Sequence, residues 1–154
     1  MLQLNNIYKT FNAGTVNEKM ALKGLSLTLN DGDFVTVIGG NGAGKSTLLK
    51  LLYREEKPNK GEVYVGTINV AKLRDSRVYK LRRKIGIVFQ DYKLLPKLTV
   101  YENVAFGLRI KKLPKNEIDS KVKEMLKLVA LEGFEKRKID SLSGGQQQRV
   151  AIAR

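Results

Sequence analysis

The residues best suited to chemistry in this 154-residue chain form one run, Gly39-Gly40-Asn41-Gly42-Ala43-Gly44-Lys45-Ser46. They match the pattern G-x-x-x-x-G-K-[ST] in full. An apolar, β-rich run (Phe34 to Ile38) precedes them and a helix-forming run (Thr47 to Tyr53) comes after, which is the strand–loop–helix context the pattern needs. Glycines let a backbone wrap closely round a polyphosphate and aim its N–H groups inward, and a helix start adds the positive end of its dipole. Lys45 can reach the outer phosphates as a point charge, and the Ser46 hydroxyl, with Thr47 beside it, is placed to ligate Mg²⁺. The chemistry expected here is the binding of a nucleoside triphosphate with Mg²⁺. A glycine-rich turn that merely precedes a lysine is the alternative.

Two further segments carry candidate groups. Ile85 to Phe89 is a second apolar run of the buried-strand type, and it leads into Gln90 and Asp91. Read alone, an apolar strand ending in Asp91 could be the Mg²⁺-coordinating strand of a nucleotide hydrolase. Near the C-terminus, Leu142-Ser143-Gly144-Gly145-Gln146 offers a serine hydroxyl and two bare glycine N–H groups where a helix begins. That is a second anion site by the same physics, or else an ordinary serine-capped helix.

The elements that must hold these groups are partly legible. Leu2 to Tyr8, Leu25 to Leu29 and Glu62 to Val65 read as strands of an antiparallel flank, with a turn at Asp31-Gly32 before the loop strand. Residues 77–84 read as a basic helix. From about Asp91 onward the period is helical: Val100 to Arg109, then Lys115 to Val129 started by Pro114. The fold class expected is α/β, with residues 1–90 as a nucleotide-binding core and 91–154 as a helical part.

Composition sets outer limits. The chain is 42% hydrophobic and 29% charged, as in a folded globular domain, and it has no apolar run of the roughly 20 residues that span a bilayer. It has no Cys and no His, so thiolate, zinc-cluster and histidine acid–base chemistry are excluded in these residues. The absence of Cys fits the cytoplasm. The net charge of +14 is uneven: residues 72–84, KLRDSRVYKLRRK, hold seven basic side chains and one Asp. Such a run suits a solvated face, an anionic lipid surface or, less well, nucleic acid.

With LSGGQ at 142–146, QQRVAIAR continuing it and the phosphate loop about a hundred residues upstream, the chain resembles the ATP-binding domain of ABC transporters. The resemblance implies a phosphate-loop ATPase fold with an antiparallel β flank and a helical subdomain. It makes Gln90, rather than Asp91, the residue that contacts Mg²⁺ and the attacking water. It assigns adenine stacking to an aromatic near the N-terminus, here Phe11, with Tyr8 as the fallback. Ser143, Gly144, Gly145 and Gln146 would bind the γ-phosphate held by a second subunit, so that two chains pair head-to-tail round two ATP molecules. The implied partner is an integral membrane subunit, met at the inner face of the cell membrane through the segment after Gln90, with Tyr92, Leu94, Leu95, Leu98 and Tyr101 as groove candidates.

Within that family, LLYREEKP and the LRRKIGIVFQDYKLLPKLTVYENVAF segment look like cell-division ATPases of the FtsE type, whose membrane partner is FtsX. The segment from AFGLRIKKLPKNEIDSK onward looks like polyamine importers, and the segment leading into the loop like a third, uptake-type branch. A recombined or designed chain, truncated after the signature, is therefore an expectation of the sequence. So is very weak or absent hydrolysis, because the family's Asp-Glu strand and its His do not occur in these residues. The competing functions are a fragmentary ATP-binding protein without a transport role and a nucleic-acid-associated ATPase.

Overall fold

A computed structural model describes all residues from Met1 to Arg154. The chain divides into two compact units, Met1–Gly86 and Ile87–Arg154, each with its own apolar core. The first is organised round an antiparallel sheet in the order β2-β1-β3-β4, with β1 Leu2–Phe11, β2 Lys19–Leu29, β3 Lys60–Val65 and β4 Ile68–Asn69. The three expected strands are present, and β1 and β2 run on beyond their apolar patterns because each supplies the other's ladder as far as the pair Phe11–Lys19.

Leu4 pairs with Leu27 on one side and Val63 on the other, and Leu4, Ile7, Leu22 and Val63 are buried together. Leu4 and Ile7 are three residues apart, which strict alternation would place on opposite faces. A register shift after Asn5, with Asn6 at φ 50, returns Ile7 to the core side. Gly61 of β3 makes the bulge possible, since it has φ +92 and a Cβ there would stand 2.4 Å from the Asn6 carbonyl oxygen.

Helix α1, Lys45–Leu52, packs Leu48 and Leu51 onto this core. Two arginines fix the chain beyond its C-terminal end. Buried Arg54 donates to the carbonyls of Val70 (3.1 Å) and Leu73 (3.3 Å) and pairs with Asp75 at 3.0 Å. Arg82 donates to the carbonyls of Tyr53 (3.1 Å) and Arg54 (3.3 Å), just past the end of α1. The expected basic helix is shorter than its pattern, a 3₁₀ turn at Asp75–Arg77 and then α2, Val78–Arg82. Its basic run is partly structural: Arg82 caps α1, and Lys72 is paired with Glu62 at 2.9 Å.

The two expected buried strands do not form. Phe34 to Ile38 is neither in a strand nor buried, with Phe34 94% and Ile38 90% exposed. Ile85 to Phe89 likewise lies outside any strand, and Val88 is half exposed. Ladder hydrogen bonds, not apolarity alone, make a strand, and the sheet takes neither segment as a neighbour.

The second unit is helical: α3 Val100–Ile110, α4 Lys115–Leu128 and α5 Gly144–Ala153. Thr99 and Glu102 form a capping box at the start of α3, and the Thr99 backbone N–H and hydroxyl hold the Glu102 carboxyl below the usual range. The next two amides, of Val100 and Tyr101, donate to the carbonyls of Arg137 and Glu135. Ile118, Val122 and Leu126 form an i, i+4 stripe on α4 that meets Val100, Val104 and Val150 in one core. Fully buried Asn103 accepts from the Leu95 N–H (2.8 Å) and donates to the carbonyls of Leu95 (3.1 Å) and Thr99 (2.9 Å). It thereby pins the segment just after Gln90. No helix is long and apolar enough to cross a membrane.

Candidate functional site

The glycine loop is shaped by its contact with β2. Gly44 is the N-cap residue of α1, with φ 89 and ψ 0. A Cβ at Gly44 would lie 2.4 Å from the Ala21 carbonyl oxygen and 2.9 Å from Leu22 Cδ2. Only glycine permits that approach, and the approach sets where α1 begins. Lys45, the first residue of the helix, folds its ammonium back over the loop, donating to the carbonyls of Gly39 (2.6 Å) and Gly40 (2.8 Å). The first turn of α1 has no capping side chain and no acidic residue. A positive helix end and a lysine thus converge on an exposed loop that holds no carboxylate, which fits a bound polyphosphate.

The Ser46 side chain is exposed beside this loop and makes no hydrogen bond, so its hydroxyl is available to a cation. No cluster of three or more acidic, histidine or cysteine groups could hold a metal ion by itself. A metal beside Ser46 would need oxygen ligands from outside such a cluster.

Of the two aromatic candidates, Phe11 is half-buried at the end of β1, paired with Lys19 of β2. The Lys9 ammonium sits 4.8 Å from its ring centroid, held by Glu56 at 2.7 Å and the Lys57 carbonyl at 2.9 Å. Tyr8 instead lies over Gly24, its hydroxyl 3.1 Å from where a Cβ on that glycine would be. Its ring is engaged within the sheet.

The other candidates belong to the second unit. Gln90 is exposed, in a turn rather than at the end of a strand, and Asp91 forms an ion pair with Lys93 at 2.6 Å. Tyr92 and Lys93 both have positive φ, 58 and 47. Arg154 holds that strained pair by donating to both carbonyls, at 3.3 and 2.7 Å. Nothing in the residue pattern marks Arg154 or Asn103 for these tasks. At the start of α5, the Ser143 hydroxyl accepts from the Gln146 N–H (3.3 Å), and the Gln146 side chain accepts from the Ser143 N–H (3.0 Å). Gly144 and Gly145 face open space. Leu94 and Tyr101, proposed from the sequence as groove residues, pack against the helical core.

A family model described as ABC transporter matches residues 22–154, which include the loop, Gln90 and Leu142 to Gln146. The chain belongs to the ABC transporter family. The cell division ATP-binding protein FtsE of Bacillus subtilis (strain 168) is 47% identical to this ABC domain over all 154 residues, which correspond to 66% of that protein. The spermidine/putrescine import ATP-binding protein PotA of Clostridium novyi (strain NT) is also 47% identical over 154 residues, 42% of its length. Among solved structures, the dimeric structure of MJ0796, a bacterial ABC transporter cassette, superposes with a TM-score of 0.91 at 42% identity, over 99% of this chain and 68% of that one. The same figures hold for that cassette in a post-hydrolysis state bound to ADP and Pi.

The ABC domain therefore spans just under two thirds of FtsE and less than half of PotA. Its mixed α/β architecture is that of the ABC cassettes it superposes on. The expectation of a recombined or designed chain is not borne out. FtsE and PotA each match this chain over its whole length at equal identity, so the local likenesses are variation within one family.

Proposed function

We propose that this ABC domain is an ATP–Mg²⁺-binding module that pairs head-to-tail with a second copy and works on a membrane subunit through that pairing. The observation that best supports this reading is the presence of two helix starts suited to anions in one chain. One is α1 behind Lys45, without a capping side chain; the other is α5, with open space at Gly144 and Gly145. Two-fold pairing lets each chain contribute both.

In this reading Phe11 stacks on adenine, Gly39 to Thr47 cradle the phosphates, and Lys45 exchanges its loop carbonyls for β- and γ-phosphate oxygens. Ser46 and Gln90 hold Mg²⁺, which neutralises phosphate charge when bound, and Gln90 positions water. Residues 1–90 act as the nucleotide core and 91–154 as the helical subdomain. The half-buried Tyr92, Leu95 and Leu98 meet an FtsX-like or permease subunit at the inner face of the membrane. FtsE and PotA, named for division and import, favour this reading over a stand-alone nucleotide binder. The structural use of Lys72 and Arg82 weakens the nucleic-acid reading.

Sedimentation velocity tests the pairing. The chain is expected to be monomeric alone and dimeric with Mg–ATP, and Ser143→Arg is expected to stay monomeric while still binding ATP. A wild-type chain that binds ATP and never dimerises contradicts the proposal. These residues contain no Asp-Glu pair and no His, so steady-state phosphate release is expected to stay near background. Turnover of about 1 s⁻¹ or faster would overturn that expectation.

A further inference from the structure

We propose that Lys19 is a second phosphate-binding cation of the loop, acting beside Lys45 on the part of the nucleotide nearest the base. The proposal rests on the triphosphate reading above and adds to it a residue from outside the loop. β1 and β2 end side by side, with Phe11 paired to Lys19, and directly opposed residues of an antiparallel ladder carry their side chains on one face. The Lys19 ammonium lies 3.5 Å from the point that a Cβ on Gly42 would occupy, which puts it over the middle of the glycine loop. Two residues further along the same strand, the Ala21 carbonyl sets the approach of Gly44. β2 thus lies against the loop from Lys19 to Leu22 and directs a lysine at its centre.

Nothing in the structure satisfies that charge. Lys19 is exposed and makes no hydrogen bond or ion pair, whereas Lys9 and Lys72 of the same unit are paired with Glu56 and Glu62. The adjacent carboxylate, Glu18, is engaged elsewhere, accepting from the Gly14 N–H at 2.7 Å. Lys45 has only the loop carbonyls. Two ammonium groups thus meet one short loop, one from β2 and one from α1, neither with a carboxylate, and an anion bound on the loop would be attracted by both. A triphosphate is such an anion. Because Lys19 is the ladder partner of Phe11, it meets the chain of phosphates from the base side, while Lys45 meets it from the helix side.

Calorimetric titration of Mg–ATP and Mg–ADP into the wild type, Lys19→Met, Lys19→Arg and Lys45→Ala tests this. Lys19→Met is expected to lose about fivefold in affinity for both nucleotides, the size of one exposed charge-assisted contact, and the loss should shrink as salt rises. Lys19→Arg is expected to stay within about twofold of the wild type, because it keeps the charge. Lys45→Ala should penalise ATP more than ADP. Wild-type affinity in Lys19→Met, or an equal loss in Lys19→Arg, overturns the assignment and leaves the loop reading intact provided Lys45→Ala is impaired. If Lys45→Ala also binds normally, the triphosphate reading itself falls.

Discussion

Replacing Gly44 by alanine is expected to abolish nucleotide binding and to destabilise the first unit by about 3 kcal/mol or more, the range of backbone strain combined with a core clash. Three costs coincide at this residue. Its φ of 89 lies in the left-handed region, which costs an alanine about 1 kcal/mol. The new methyl would stand 2.4 Å from a β2 carbonyl oxygen and 2.9 Å from a buried leucine methyl, and a backbone atom inside a paired strand cannot give way alone. Moving the cap would also displace α1, and with it Leu48 and Leu51, which are part of the core. Gly40→Ala is the control, since nothing lies within 4 Å of its added carbon; it should unfold in urea with the wild-type midpoint. A Gly44→Ala chain with that same midpoint and normal ATP binding would contradict this loop geometry.

How much of this was legible in the residues depends on how local each feature is. The loop's pattern is legible because it lies in eight consecutive residues. The helices of the second unit are predictable from the spacing of Val100, Val104, Ile118, Val122 and Leu126, with Pro114 marking a start. Phe34 to Ile38 misleads because apolar, β-branched residues record a preference for burial but not the ladder partner that must supply it. Features that depend on register were closed to the sequence. Only the pairing of Phe11 with Lys19 reveals that a lysine twenty residues before the loop reaches Gly42. Polar residues with structural tasks were also hidden. Arg82 belongs to the basic run at 72–84, and nothing in the pattern marks Asn103 or Arg54, until their backbone partners are seen. The groove expected after Gln90 shrank for the converse reason, because Leu94 and Tyr101 are used inside the helical core.

Lys45→Ala carries the largest effect on binding expected of a variant that keeps its fold. In the free chain its ammonium makes two short hydrogen bonds to carbonyls of its own loop, at 2.6 and 2.8 Å. Those carbonyls are neutral acceptors, and exchanging them for anionic phosphate oxygens sets the ammonium against opposite charge, in hydrogen bonds worth about 1.5–3 kcal/mol each. Losing two such contacts corresponds to about a hundredfold to ten-thousandfold in affinity. The variant should keep its fold, because Lys45 is only partly buried and alanine suits the first turn of a helix. The most direct measurement is therefore a calorimetric titration of Mg–ATP into the wild-type chain and into Lys45→Ala under identical buffer. The account predicts a saturable heat for the wild type and none for the variant over the same concentration range. Equal heats and equal affinities in the two titrations would contradict it.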